Sequence, residues 1–130
     1  METEIRQAIY DHTISASSLS ASNTFWVKAK QEQTGTYCVL SLISNPLNKD
    51  SQKQYEEIFF QISLFGKSLS SLESIESEIL DLWDFSSTTL KNRFTNFSVV
   101  GVGRIARGSL RVEDDYWHNY IQYKLELQAD

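Results

Sequence analysis

The segment of residues 55–83 determines the fold, and it reads YEEIFFQISLFGKSLSSLESIESEILDLW. Over residues 55–65 the apolar side chains alternate, which predicts a strand with one face in the core. The other face carries Phe59 and Phe65 among polar groups, and we expect it to meet either a helix or another subunit. Over residues 72–83 the apolar side chains recur at helical spacing, which predicts an amphipathic helix.

The start and the polar side of this predicted helix are also marked in the sequence. Ser70 and Glu73 have the spacing of a capping box, in which each side chain satisfies an unpaired amide at the helix start. The side opposite the apolar stripe is predicted to face water, and its acids are Glu73, Glu76, Glu78 and Asp81.

Upstream of this segment, the pattern predicts one helix and two strands. Residues 2–17 show helical spacing of apolar side chains, and residues 15–24 are rich in serine, which favours a loop. Residues 25–27 predict a brief strand, and residues 37–43, which are β-branched and aromatic, predict a buried one. Cys38 lies in that second strand, where we expect a small buried side chain rather than a redox centre.

Downstream, two predicted strands flank a charged segment. Residues 97–105 alternate valine with Gly101 and Gly103, which predicts a strand with one bare face and room for a bulge, a bend or a close backbone. Residues 106–115 carry a glycine and clustered charges, which is typical of a loop. Residues 116–128 alternate over roughly 40 Å of strand, and this length favours either assembly or a bent edge strand.

Together these elements predict an α+β fold, with a mainly antiparallel sheet, two helices packed on one face and long projecting strands. With 130 residues, the chain is expected to form a single domain over residues 1–130. The net charge of −5 disfavours binding to nucleic acid phosphates. No stretch approaches the roughly 20 apolar residues of a membrane helix, and the acidic start differs from a secretion signal. We therefore expect a soluble intracellular protein.

No catalytic motif and no metal site is visible in the sequence, and no cofactor is expected. The two histidines are His12 and His118, and nothing in their spacing shows that they meet. Glu113, Asp114 and Asp115 could offer oxygen ligands to a hard cation, but consecutive acids point in different directions, which favours an exposed hairpin tip. The chain is therefore predicted not to be an enzyme.

The predicted loop also carries balanced charge. Three arginines precede its three acids, so that six charges of both signs lie close together in the chain, at Arg104, Arg107, Arg111, Glu113, Asp114 and Asp115. A charge-balanced loop suits contact with a second copy or with another protein, and it equally suits a plain solvated tip.

Three stretches resemble the tail terminator (tail completion) proteins of tailed bacteriophages. Residues 59–68, FFQISLFGKS, lead into the acidic helix and resemble the central strand, turn and helix of that family. Residues 111–118, RVEDDYWH, resemble its closing hairpin, and residues 36–40, TYCVL, are similar to the short strand after its first helix. The proline often found before that tyrosine is absent here.

The resemblance implies a structural subunit of a ring, usually of six copies, in the tail and neck of a virion. Such a ring caps the tail tube protein, stops tube growth and joins a neck or head-completion protein, while DNA passes through the lumen without specific binding. It implies no membrane partner. A ring needs two different patches on each subunit, and we expect Phe59, Phe65 and the six charged loop residues to form subunit or neck contacts. The helix acids and the loop acids are candidates for an acidic lumen.

Two other functions remain open from the sequence. The chain could be a small-ligand or peptide binding module, with a cleft lined by Trp26, Tyr116, His118 and Tyr120. It could also be an enzyme that uses both histidines, which requires the two imidazoles to reach one substrate.

Overall fold

The computed structural model describes residues 2–27, 35–44, 55–113 and 116–129. In chain order its elements are α1 (Glu2–Thr13), β1 (Thr24–Trp26), β2 (Tyr37–Ser44), β3 (Tyr55–Gly66), α2 (Leu69–Trp83), α3 (Thr88–Lys91), β4 (Phe97–Glu113) and β5 (Tyr116–Ala129). The sequence also predicts a turn at residues 31–35 and a loop at residues 47–54. The loop and most of the turn lie outside the described residues.

The strands form one five-stranded sheet in the order β1-β2-β3-β5-β4. β1 pairs with β2 in parallel, and the other pairings are antiparallel. The register places Leu40, Ile62 and Ile121 side by side across β2, β3 and β5, so alternate side chains of these strands share one face. The predicted α+β class with a mainly antiparallel sheet is confirmed.

The helices pack on that face, and Trp83 at the end of α2 joins them to the sheet. Its ring centre lies 4.9 Å from that of Phe60 and 5.9 Å from that of Tyr123. Its indole nitrogen donates a hydrogen bond to the Thr13 hydroxyl of α1 (3.2 Å). All four side chains are buried, so both predicted helices meet the sheet at one aromatic cluster.

The predicted start of α2 is wrong. Ser68 has an extended backbone, and its hydroxyl accepts a hydrogen bond from the Ser71 amide (3.3 Å). The helix therefore begins at Leu69, and Ser70 lies within its first turn instead of capping it. Glu76, which was expected to face water, is buried, because the polar side of α2 at this point lies against β4.

The largest difference from the predicted fold concerns β4. Residues 106–115 are predicted as a loop, but the strand that begins at Phe97 continues to Glu113 and pairs with β5 along its length. The pairing shifts between Val99 and Gly101, between Arg104 and Ala106, and between Arg111 and Glu113. These bulges interrupt the alternation of side chains and hide the strand in the sequence. Of the predicted loop, Asp114 and Asp115 lie outside the described residues.

Candidate functional site

The face of the sheet opposite the helices, here called the uncovered face, carries a row of stacked rings. Tyr37 of β2, Phe65 of β3 and His118 of β5 lie side by side, with ring centres 5.0 Å and 4.3 Å apart. Tyr120 follows His118 at 5.9 Å, and its ring lies against Gly108 of β4. No described helix packs on this face, and the four rings are only partly buried.

Polar and charged pairs continue the uncovered face beyond the rings. Gln122 donates a hydrogen bond to the side-chain oxygen of Gln61 (2.9 Å). Further along β5, the Lys124 ammonium lies 3.4 Å from a Glu57 carboxylate oxygen and 3.8 Å from one of Glu126. The uncovered face is therefore aromatic at one end and charged at the other.

Both phenylalanines predicted for subunit contact lie on the uncovered face. Phe65 belongs to the row of rings, and Phe59 stands opposite Lys124 in the register of β3 with β5. The sequence left open whether a helix or another subunit meets this face. Since no described helix does, both phenylalanines remain candidates for contact between subunits.

Two of the predicted interface arginines lie on the other side of β4, toward α2. The Arg104 guanidinium lies 3.9 Å from Asp84, whose carboxylate also accepts a hydrogen bond from the Tyr123 hydroxyl (2.9 Å). Burial raises the pKa of Glu76, and the positive charge of Arg107 opposes that rise. Both arginines therefore interact with acids of their own chain.

Two further charged residues of the predicted loop, Arg111 and Glu113, lie near the end of β4. Arg111 stands over the Trp117 ring, 6.0 Å from its centre. Glu113 is the last residue of β4, and the two aspartates that follow lie outside the described residues. The four described charges of the set therefore lie along one strand rather than in a projecting loop.

The four acids predicted for a lumen have different surroundings. Glu76 is buried, as described above. Glu78 accepts hydrogen bonds from the hydroxyls of Ser18 and Ser17 (2.7 Å each), and these bonds lower its pKa. Glu73 and Asp81 are exposed. Of the set, these two are therefore exposed, Glu78 is partly exposed and Glu76 is buried.

A cleft of about 240 Å³ lies between α2 and β4. Its lining combines two carboxylates with one guanidinium, and the described residues that form it are Leu69, Glu73, Glu76, Arg107, Gly108, Ser109 and Asn119. The Ser109 hydroxyl donates a hydrogen bond to the Asn119 side chain (2.7 Å). None of these residues is a histidine or a cysteine, so the cleft lacks the usual pairing of a nucleophile with a base.

The two histidines lie on opposite faces of the sheet. His12 is buried among the helices, where its Nδ1 accepts a hydrogen bond from Arg93 Nε (3.0 Å) and its Nε2 donates one to the Leu82 carbonyl (2.9 Å). His118 belongs to the row of rings on the uncovered face. These histidines therefore do not form the pair that the enzyme hypothesis requires.

The cleft proposed for a ligand-binding module is not formed either. Trp26 lies on the helix side of the sheet, with the Arg6 guanidinium 5.7 Å from its ring centre. Tyr116, His118 and Tyr120 alternate along β5 on the uncovered face. The four aromatic residues therefore do not line one site.

The structure also bears on other candidate chemistry. Cys38 is buried, and burial raises its pKa to about 12, so it is not a reactive thiolate. Among the described residues, no group of three potential ligands could hold a metal ion. None of the described helices has the length and apolar character needed to cross a membrane.

Sequence patterns do not reveal one further group of surface residues. Val100 and Ile105 are the extra residues at two bulges of β4, and they are 58% and 51% exposed. An apolar residue that breaks the alternation of a strand is the signal that could have marked them. That signal is visible only when the strand itself is recognised.

Comparisons with known proteins show where this fold occurs. No family model matches the chain, and no curated protein matches it. A chain from the virion of a native gene transfer agent (GTA) particle has a TM-score of 0.65 at 14% identity, over 96% of this chain and 98% of that chain. A second solved chain, whose description names no function, has a TM-score of 0.55 at 17% identity, over 100% of this chain and 96% of that chain. At these identities the matches show a shared fold.

Proposed function

We propose that this chain is a structural component of a phage-type virion and that it acts by assembly rather than by catalysis. The observation that carries the proposal is the fold that it shares, over 96% of its length and 98% of the other's, with a chain of a gene transfer agent virion. Coverage from end to end means that the likeness involves the whole architecture rather than a small common motif.

In its finer form, the proposal is that the chain is a tail terminator. Residues 59–68, which resemble the strand, turn and helix of that family, form the end of β3 and the cap of α2. Residues 111–118, which resemble its closing hairpin, lie where β4 meets β5. These two stretches thus lie in a strand, turn and helix and at the pairing of β4 with β5, which supports the assignment. The third stretch, residues 36–40, leads into β2, and β1 lies between it and α1.

As a tail terminator, the chain would form a ring of six copies at the junction of tail and neck. The ring would cap the tail tube protein, stop its growth and bind a neck or head-completion protein. Six copies at −5 each carry a formal charge of −30, which disfavours adhesion of DNA that passes through the lumen. The exposed acids Glu73 and Asp81 are the strongest candidates for that lining.

The surfaces proposed for contact follow from the geometry. Phe59 and Phe65 offer apolar surface on the uncovered face. The arginines of β4 can contact a neighbour only in competition with the acids of α2, because Arg104 and Arg107 already interact with them. The hairpin end, with Glu113 and the two following aspartates, is proposed for contact with a neighbouring copy or with the neck.

Removal of the gene from the phage that encodes it tests the proposal. We expect filled heads that are not joined to tails, and tails of uncontrolled length, because nothing stops the tube. The chain supplied in trans should restore joined particles with uniform tails, and antibody against it should label the junction in electron micrographs. The same gene with an early stop codon is the control. Joined particles with uniform tails in the deletion would contradict the proposal.

A further inference from the structure

Exposed apolar side chains mark both outer edges of the sheet. On the β4 edge, Val100, Ile105 and Leu110 are 58%, 51% and 54% exposed. On the opposite edge, Val27 and Ile43 are 67% and 49% exposed. Within the described part of the chain, only one other large apolar side chain is exposed, and it follows α2. Apolar surface grouped in this way is typical of contact sites.

The β4 edge suits contact through side chains better than addition of a strand. β4 pairs with β5 on one side, and no described strand pairs with its other side. The bulges leave Val100 and Ile105 without a partner on β5. A bulge disrupts the ladder and discourages pairing with another strand, and charged side chains usually serve the same protective purpose. Apolar residues at both bulges instead present surface that water solvates poorly.

The opposite edge has a strained residue at its end. β1 pairs with β2 only from Cys38 to Leu40, so no described strand lies beside Ile43 on that side. Val27 has φ of 70°, a left-handed conformation that is strained for a β-branched residue. Its amide donates a hydrogen bond to the Leu40 carbonyl (2.7 Å), which holds the strained turn. Strain of this kind is concentrated at functional positions.

We infer that the β4 edge of one copy docks on the β1–β2 edge of the next copy, with Val100 and Ile105 against Val27 and Ile43. A ring closed by head-to-tail contacts needs two different patches on each subunit, and the apolar groups on opposite edges meet this need. Charge does not oppose a second copy at this contact, because the described residues of the β1–β2 edge (24–27 and 37–44) are uncharged and β4 carries three arginines and a single acid, Glu113, at its end. The inference rests on the proposed function.

Disulfide cross-linking in purified virions tests this contact. A chain with both Ile43→Cys and Ile105→Cys is expected to give dimers, trimers and larger species on a non-reducing gel, because each copy carries both halves of the contact. Val27→Cys combined with Val100→Cys is the second pair. The native thiol of Cys38 is buried, with its pKa raised to about 12, and does not compete.

Matched single variants separate the possible contacts. Virions that contain a mixture of the Ile43→Cys and Ile105→Cys single variants should give dimers and nothing larger. Dimers from virions that contain only Ile105→Cys would show that two β4 edges meet, which overturns the inference. If the chain is present in virions but neither pair of cysteines cross-links, the inference fails while the proposed function stands. If the chain is absent from virions, the proposed function itself fails.

A charge placed at the edge provides a second measurement. Ile105→Asp is expected to lower incorporation of the chain into virions by about tenfold or more, since it puts a carboxylate into an apolar contact. Ser77→Asp adds the same charge to the exposed side of α2 and should leave incorporation unchanged. Circular dichroism of both purified variants establishes that each is folded. Equal incorporation of the two variants would overturn the inference.

Discussion

At the scale of single residues, His12 shows how a buried polar side chain is satisfied. Arg93 can only donate to Nδ1, so Nε2 carries the ring proton and donates it to the Leu82 carbonyl. The ring also packs edge-on against Trp83, with centres 4.6 Å apart. Burial lowers the pKa of His12, and the positive charge of Arg93 acts in the same direction, while the Leu82 carbonyl opposes them. The folded chain therefore favours the neutral imidazole.

This preference predicts a loss of stability on acidification. The unfolded chain takes up a proton at the ordinary histidine pKa of 6.5, whereas the folded chain resists protonation until a lower pH. The free energy of unfolding is therefore fully retained above about pH 6.5 and falls as the pH drops below that value. We expect Tm, measured by circular dichroism, to decrease from about pH 7.5 to about pH 5.5.

Two substitutions test whether His12 is the cause of this pH dependence of stability. His12→Gln should lower the free energy of unfolding by about 2 kcal/mol near neutral pH, because Arg93 and the Leu82 carbonyl lose the hydrogen-bond partner that His12 provides. The same substitution should make stability depend less on pH. Burial also lowers the pKa of His118, but that ring is only partly buried, so His118→Gln should retain most of the dependence. A Tm that rises on acidification of the unmodified chain would contradict the argument.

At the scale of secondary structure, the sequence predicts those helices and strands whose apolar side chains recur regularly. It does not predict where a cap or a bulge interrupts the regular pattern. The alternation in β3 and the apolar stripe of α2 identify these elements directly. Ser68 and Ser70 are both plausible caps by residue type, and only the backbone conformation shows that Ser68 is the one in use. β4 was predicted to end at Ile105 because its bulges and charges resemble a loop.

The same limit applies to the candidate surfaces. The charged residues of β4 were predictable as a group, and their pairing was not, because the contact of Arg104 with Asp84 depends on how α2 packs against the sheet. The row of rings combines residues from three strands, and its members Tyr37 and His118 are 81 positions apart by residue number. Only strand order and register bring them together.

Two glycines of β4 allow a matched test of that register. A Cβ at Gly108 would lie 2.6 Å from the Tyr120 hydroxyl oxygen, whereas nothing lies within 4 Å of a Cβ at Gly103. Gly108→Ala should lower the free energy of unfolding by about 1 kcal/mol, because the ring must move off the strand. Gly103→Ala should be neutral or slightly stabilising. Urea denaturation measures both effects.

A double-mutant cycle tests the cause of the difference. In a Tyr120→Ala chain the obstructing ring is absent, so Gly108→Ala should then behave like Gly103→Ala. Equal effects of the two glycine substitutions in the unmodified chain would show that Tyr120 does not lie over β4 as described.

At the scale of the whole molecule, charge and apolar surface act in opposite directions on assembly. Each copy carries −5, so copies in the proposed ring would repel one another at low ionic strength. The two sheet edges that we infer to meet are apolar, and their association is not weakened by screening. The arginines of β4 are partly neutralised within the chain, which limits their contribution to contact between copies.

If the chain is the proposed tail terminator, this balance predicts that salt favours formation of its ring on tail tubes. Raising the salt concentration from about 0.1 M to about 1 M shortens the screening length from about 10 Å to about 3 Å, which reduces repulsion between acidic copies. The concentration of chain needed to cap half of the tube ends, counted in electron micrographs, should therefore fall. Tubes kept in each salt without the chain control for changes in the tube itself. If arginine–carboxylate pairs between copies dominated the interface, capping would instead require more protein at high salt, because those pairs are the ones that salt weakens.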